Sequence, residues 1–231
     1  MEITANKMKI SKRLLAIAKM VPPNLPCADI GSDHGLLVKY LLDNQIVPFS
    51  YASDNKIGPY NRLKENLASY ISSNKVKVDL IDGIKNLPEN CLTLIIAGMG
   101  GELIKEILVK DFSKLSNVKY ILLAPHGKEK ELRQFLSKKN YKIIDENIIF
   151  EDHFYEIILF KKVDEEIIYS SLELEYGPIN LLKKDENFKK KYQERISFNK
   201  NLLANYSLSP SRKKEIEQIV NSDEEILKEL S

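Results

Sequence analysis

Acidic residues and glycines recur at four points of the chain, each directly after an apolar run. They are Asp29-Ile30-Gly31, Asp54-Asn55, Asp82-Gly83 and Gly98-Met99-Gly100-Gly101. A glycine after the first run lets the backbone approach a ligand closely, and an acid after the second run can accept both hydroxyls of a ribose. An acid after the third run can accept the exocyclic amine of adenine. Each acid alone is also a common turn or helix-cap residue, but the recurrence predicts a slot for an adenosine group.

The first of these turns distinguishes between two adenosine cofactors. A nicotinamide dinucleotide site needs G-x-G-x-x-G, so that the pyrophosphate lies on a helix N-terminus. Here Gly31-Ser32-Asp33-His34-Gly35 places the anionic Asp33 where it would repel a phosphate. S-adenosylmethionine has a cationic sulfonium and an amino-acid tail, which tolerate acids, so this cofactor is favoured. The residues predicted to bind it are Asp29, Gly31, Ser32, Asp54, Asn55, Asp82, Gly83, Gly98 and Gly100.

Seven strand-like runs must position these residues. They lie near 27–30, 49–53, 76–81, 92–97, 120–124, 142–150 and 154–160, and we expect helices after five of them, with one helix beginning at Pro59. Only Glu151-Asp152-His153 joins the last two runs, which permits an antiparallel pair but no helical crossover. This alternation predicts an α/β fold, a doubly wound sheet with an antiparallel edge hairpin, as in the Rossmann-like class I methyltransferases. Its ligand should lie at the carboxyl ends of the strands.

Two further parts of the chain are predicted to be helical. Before the first strand, residues 9–20 carry apolar residues at helical spacing, with Ser11 as the N-cap. After about residue 170, Glu175-Tyr176-Gly177-Pro178 is typical of a hinge, and two long charged helices follow, broken at Ser207–Pro210. They predict a coiled-coil-like hairpin that packs on itself or on the sheet domain. The predicted domains are therefore a methyltransferase domain, 1–170, and a helical hairpin, 171–231.

Composition excludes several classes of protein. Lysine and arginine number 35 against 33 acids, so any nucleic-acid surface must be local. No run approaches the length of a membrane span, and residues 1–7 lack the apolar core of a signal peptide, so we expect a cytoplasmic protein with no membrane partner. Cys27 and Cys91 both begin apolar runs, which favours reduced core thiols. The three histidines are far apart, so no metal site is expected.

Several motifs together resemble the bacterial TrmK family. They are Ser11-Lys12-Arg13-Leu14, Ala28-Asp29-Ile30-Gly31-Ser32-Asp33-His34, Gly58-Pro59, Asp82-Gly83, Ala97-Gly98-Met99-Gly100-Gly101 and Tyr155-Glu156, followed by the helical hairpin. The resemblance covers essentially the whole chain. Two segments depart from the family pattern: Gly35-Leu36 stands where the family often has Ala-Tyr, and Pro125-His126 where it has Pro-Asn. An aromatic base-stacking role is therefore unavailable at Leu36, and an amide-specific role is in doubt at His126.

The resemblance implies methylation of N1 of the adenine at position 22, in the D-arm of tRNA. Adenine N1 presents a lone pair, so catalysis should consist mainly of positioning. Three residues are predicted to be catalytic. Asp33 would stabilise the positive charge that passes to the ring, His34 would orient Asp33 or bind the base, and Met99 would pack on the base. The alternative roles are a helix N-cap for Asp33 and a satisfied turn residue for His34.

The target base must leave the tRNA fold, and contacts to phosphate must offset that cost. The candidate contacts are Lys9, Lys12, Arg13, Lys19, Lys128, Lys130, Arg133, Lys189-Lys190-Lys191 and Arg212-Lys213-Lys214. Any of these runs could equally be a solvated helix face. A monomer is favoured.

Two other functions stay open from the sequence. One is a methyltransferase of this fold that acts on protein or on a small metabolite. The other is a non-catalytic RNA-binding or interaction protein that uses the helical hairpin.

Overall fold

The computed structural model describes residues 10–228, which contain a seven-stranded sheet in the order β3-β2-β1-β4-β5-β7-β6. The strands are β1 (Cys27–Ile30), β2 (Ser50–Asp54), β3 (Val76–Leu80), β4 (Thr93–Gly100), β5 (Tyr120–His126), β6 (Tyr141–Phe150) and β7 (Phe154–Lys162). β1 to β5 are parallel, and β7 runs antiparallel to both β5 and β6. The predicted doubly wound sheet with an antiparallel edge hairpin is confirmed.

The described residues also form helices. They are α1 (Lys12–Met20), α2 (Leu36–Asp43), α3 (Ile57–Asn66), α4 (Ala68–Ser72), α5 (Gly101–Lys110), a 3-10 turn (Phe112–Leu115), α6 (Glu129–Ser137), α7 (Ser171–Tyr176), α8 (Pro178–Lys183), α9 (Glu186–Asn205) and α10 (Pro210–Lys228). Successive residues of β4 point to opposite faces, so Leu94 and Ile96 pack in one core and Ile95 in the other. All three are fully buried, as a central parallel strand requires.

The first helix and the thiols agree with prediction. Ser11 caps α1, and its side chain accepts from the Leu14 backbone N–H. Cys27 and Cys91 are free and buried. Residues 1–9 lie outside the described residues. The predictions made for Lys9 as a phosphate contact and for the N-terminal stretch 1–7 fall in this part of the chain. Within the part that the structure describes, no helix is both long enough and apolar enough to cross a membrane.

Two local predictions were wrong. β4 continues to Gly100 because Gly98, at φ +75°, allows an irregularity in register after Ala97, and the strand then resumes opposite His126. The helix expected from Pro59 begins at Ile57 and is interrupted at Leu67, so that α3 and α4 are separate.

The chain divides into two compact units, with the division between Ile179 and Asn180. In the second unit α9 and α10 contact each other. There the Arg195 guanidinium donates to the buried Asp223 carboxylate, with Nε 2.7 Å from Oδ2. The helical hairpin is confirmed, and the predicted domain boundary after residue 170 stays a prediction.

Candidate active site

A cavity of about 550 Å³ lies at the carboxyl ends of β1 and β4. Its walls come from the loop after β1, the end of β4, the start of α1 and the turn between β6 and β7. The lining residues are Ser11, Arg13, Leu14, Asp29, Gly31, Ser32, Asp33, His34, Leu36, Leu37, Ala97, Gly98, Glu151, Asp152 and Tyr155. Six of the predicted site residues are in this set. The cavity lies where a doubly wound sheet binds its ligand.

The loop after β1 contributes a buried acid to the cavity. Asp29 is almost fully buried, and its Oδ2 accepts a hydrogen bond from Ser32 Oγ at 2.6 Å. Burial raises the Asp29 pKa to about 6, the Ser32 hydrogen bond opposes that rise, and the charge of Asp54 adds to it. Gly31 has φ +70°, and its backbone N–H donates to the Ser53 carbonyl of β2. The loop is thus held against the neighbouring strand.

Asp33 and His34 lie at the rim of the cavity. The Asp33 side chain is 60% exposed, and its Oδ2 is 3.6 Å from His34 Nε2. Asp33 also lies 3.9 Å from the Arg62 guanidinium of α3. The N-cap position of α2 is Gly35, and no side chain caps this helix. The alternative role of Asp33 as a helix cap is therefore excluded.

The ends of β2 and β3 lie beside the cavity, along the same edge of the sheet. The buried Asp54 accepts from the Lys56 backbone N–H at 2.9 Å. Asn55 Nδ2 donates to Asp82 Oδ1 at 3.2 Å, and Asp82 precedes Gly83. The structure therefore brings the predicted ribose and adenine residues together, although none of them lines the cavity itself.

The end of β4 faces the loop after β1. Gly98 lines the cavity, and Gly100 ends the strand. The Met99 methyl group occupies the space that a side chain at Gly31 would need. Met99 thus packs on the predicted cofactor loop and does not line the cavity, and its catalytic role stays a prediction.

Arg13 lies in a different environment from the tRNA-contacting surface that was predicted for it. Of the described residues that line the cavity, it alone is a lysine or arginine. Its Nη1 is buried without a hydrogen-bond partner in residues 10–228, and it lies 3.1 Å from where a Gly98 Cβ would be. The guanidinium carbon is 5.1 Å from the centre of the Tyr155 ring. Arg13 thus lies inside the cavity and not on an open tRNA-facing surface.

A second predicted phosphate contact is wrong for a similar reason. Arg133 is fully buried, donates from Nε to Glu146 Oε1 at 2.8 Å, and pairs through Nη2 with Glu156. A guanidinium enclosed in this way cannot reach a phosphate. The sequence suggested a free cation at Arg133 because its two partners, Glu146 and Glu156, are distant from it along the chain.

Sequence reasoning also missed the cavity residues contributed by the turn between β6 and β7. Glu151, Asp152 and Tyr155 line the cavity, although only Tyr155 belongs to a motif that was noticed. The signal available in the sequence was the short link between two strands, which places this turn at the edge of the sheet where β5 ends.

The strand order, the antiparallel hairpin and the acid-lined cavity beside the ends of β2 and β3 define a class I methyltransferase. A family model described as a methyltransferase domain matches residues 10–158. The chain is 30% identical over 208 residues to the tRNA (adenine(22)-N(1))-methyltransferase of Bacillus subtilis (strain 168), with 87% of each chain covered. On this evidence the chain belongs to the TrmK family of tRNA (adenine(22)-N(1))-methyltransferases.

Solved structures agree with this assignment. A Streptococcus agalactiae protein of the NADB-Rossmann superfamily has a TM-score of 0.90 and 31% identity, with 96% of this chain and 99% of that chain covered. The TrmK of M. capricolum, solved with the cofactor product S-adenosyl-homocysteine, has a TM-score of 0.84 and 26% identity over 94% of this chain and 97% of that chain.

Proposed function

We propose that this chain transfers a methyl group from S-adenosylmethionine to N1 of adenine 22 in tRNA. The observation that carries the proposal is the cavity, which combines buried and exposed carboxylates with one enclosed guanidinium at the carboxyl ends of β1 and β4. Family membership supplies the substrate, since the B. subtilis relative is named for that nucleotide. We also propose that the enzyme acts in the cytoplasm, as a monomer.

The residues present fit this cofactor. S-adenosylmethionine carries a carboxylate. The buried Nη1 of Arg13, which has no hydrogen-bond partner within residues 10–228, is a donor suited to an anion. The sulfonium and ammonium groups of the cofactor are cationic, which suits the buried Asp29 carboxylate in the same cavity. We assign the methionine part to Asp29, Gly31, Ser32, Gly98 and Gly100. The ribose is assigned to Asp54 and Asn55, and the adenine to Asp82 and Gly83.

The cofactor supplies an electrophilic methyl group on sulfur. The protein need not remove a proton, because adenine N1 already has a lone pair, and its task is to position the two reactants. Positive charge passes to the adenine ring during transfer, and we assign its stabilisation to the exposed Asp33 carboxylate. His34, 3.6 Å from Asp33, orients that carboxylate.

Methylation by an Asp33→Ala variant tests these roles. We expect the variant to bind S-adenosylmethionine in calorimetry as the wild type does, and to transfer at least about tenfold less labelled methyl to tRNA, because a charge-stabilising group is removed. Asp164→Ala, which removes an exposed acid outside the cavity, is the matched control and should be fully active. Loss of cofactor binding in Asp33→Ala would make Asp33 a cofactor ligand, and unchanged transfer would remove it from the site.

A further inference from the structure

Three rings cluster where β5 ends and β7 begins, and none of the roles above uses them. The His153 and Tyr155 ring centres are 3.9 Å apart, and His126 lies 5.6 Å from His153 and 5.5 Å from Tyr155. Asp152 Oδ1 accepts from the Tyr155 hydroxyl at 2.8 Å and lies 3.1 Å from His153 Nδ1. Tyr155 is buried, whereas both imidazoles are exposed. The cluster therefore consists of the buried Tyr155 ring, held by its hydrogen bond to Asp152, and two exposed imidazole rings that contact it.

The cluster borders the cavity on the side away from the proposed adenosine site. Tyr155 lines the cavity, and His126 is the register partner of Gly100, at the end of β4. In the sheet order, β5 and β7 lie on one side of the β1–β4 pair, while β2 and β3 lie on the other. The residues assigned to the ribose and the adenine thus lie in one half of the strand-end edge. The rings lie in the other half, next to Arg13 and Gly100, which are assigned to the methionine part.

The charges around His126 favour a neutral ring. Burial lowers the His126 pKa first, and the charges of Arg13 on α1 and of His153 in the turn lower it further, while Asp152 opposes them. Tyr155 of β7 is the remaining titratable group in contact. A neutral imidazole attracts a base that becomes cationic on methylation, whereas a protonated imidazole would repel it.

We propose that the exposed rings of His126 and His153, backed by Tyr155, form the platform on which the extruded adenine stacks during methyl transfer. The inference rests on the proposed function and adds the residues that receive the target base. Base–aromatic stacking is the usual way in which proteins hold an unstacked nucleotide.

The test compares two tRNAs that differ only at nucleotide 22, one with adenine and one with an abasic site. Affinities are measured in the presence of S-adenosylhomocysteine, for the wild type, His126→Ala, His126→Phe and His153→Ala, with Lys161→Ala, at the far end of β7, as the control. We expect the wild type and the control to prefer the adenine tRNA by about tenfold, as one stacked base provides. Each alanine variant should lose most of this preference, and His126→Phe should keep it.

Several results would overturn the platform. They are an unchanged preference in both alanine variants, a loss in His126→Phe as large as that in His126→Ala, and equal binding of the two tRNAs by the wild type. Thermal unfolding and S-adenosylhomocysteine calorimetry report on folding and on the cofactor side of each variant. A wild type that methylates no tRNA overturns the proposed function as well, whereas normal methylation with an unchanged preference in both alanine variants overturns the platform alone.

Discussion

Two charged side chains in the cavity have atoms that the fold has removed from water: Asp29, which is almost fully buried, and Arg13, whose Nη1 is buried. Asp29 bonds to Ser32 within its own loop, while the Nη1 of Arg13 has no partner among the described residues. A buried donor without a partner costs free energy unless a ligand satisfies it. Both groups are therefore best explained by what the cavity binds, and each leads to a prediction.

Cofactor affinity should depend on pH through Asp29. With its pKa raised to about 6, the Asp29 carboxyl is charged at neutral pH and becomes neutral as the pH falls below that value. Calorimetry between about pH 5 and 8 should show weaker S-adenosylmethionine binding on the acid side, because a neutral carboxyl attracts a cation less. Asp29→Asn should bind weakly at every pH, and Asp164→Asn should follow the wild type. Constant affinity across this range would contradict the assignment.

The raised pKa of Asp29 also makes the stability of the fold depend on pH. The folded-state pKa of Asp29 lies above its ordinary value of 3.8, so folding takes up a proton between these values. The stability that this protonation contributes is fully present below the ordinary value and is lost as the pH rises through about 6. Without a ligand, burial of the charged Asp29 therefore destabilises the fold at neutral pH.

Arg13→Ala should weaken only ligands that carry a carboxylate. We expect the affinity for S-adenosylhomocysteine to fall by about 10- to 100-fold, the worth of a charged hydrogen bond, while the affinity for methylthioadenosine, which lacks the amino-acid tail, stays within about twofold. Lys19→Ala on the same helix is the control. Equal loss for both ligands would mean that Arg13 shapes the cavity through its contact with Tyr155 and does not bind the carboxylate.

At the scale of elements, a buried ion network joins α6, β6 and β7 to the segment around α7. Arg133 bonds to Glu146 and Glu156 and donates from Nη1 to the carbonyls of Leu174 and Glu175. Glu146 Oε2 also accepts from the Ile179 backbone N–H at 2.9 Å. Burial raises the Glu146 pKa, and the Arg133 charge opposes that rise. Because Glu156 follows Tyr155, the network also holds the start of β7 beside the cavity.

Arg133→Met should therefore destabilise the protein strongly. Removing the guanidinium leaves two carboxylates buried without their shared cation, a change that costs about 3–5 kcal/mol. Urea unfolding followed by circular dichroism measures it. Lys142→Met breaks the exposed pair with Glu165 and should cost no more than about 1 kcal/mol. Similar unfolding midpoints for the two variants would show that the network does not hold these elements together.

The seven strands and most of the places where they end were predictable because they depend on local patterns. The apolar runs, the short link before β7 and the acids after β1, β2 and β3 are all readable along the chain. The contact of Arg13 with Tyr155 and the pairing of Arg133 with Glu146 were not, because they join residues far apart in sequence. The extension of β4 past Ala97 depends on the backbone of Gly98, and an apolar pattern does not report it.

For the molecule as a whole, the net charge of only +2 means that tRNA binding must come from local groups. The helical hairpin offers Lys190 of α9 and Lys213 and Lys214 of α10, all exposed. Lys189 is half-buried and pairs with Glu186 on α9. Arg212 is exposed and pairs with Glu215 on α10. We propose that the hairpin lysines contact phosphates.

Replacing Lys190, Lys213 and Lys214 with alanine should flatten the salt dependence of tRNA binding. The slope of log affinity against log salt concentration should fall by about 1 for each lysine that binds a phosphate in the wild type. The control replaces three other exposed lysines, Lys75, Lys114 and Lys119. Lys75 directly precedes β3 and Lys119 directly precedes β5, so both lie at the edge of the sheet opposite the cavity. An equal slope for the hairpin variant and the wild type would show that these lysines are a solvated face.

The central claim is tested most directly by mapping the methyl group that the protein transfers. The purified chain is incubated with labelled S-adenosylmethionine and two tRNA transcripts, one with adenine at position 22 and one with guanine there. The account predicts label in the first transcript only, recovered as 1-methyladenosine at nucleotide 22. Label at another nucleotide, in the guanine transcript, or in protein or a small metabolite and not in tRNA would contradict it.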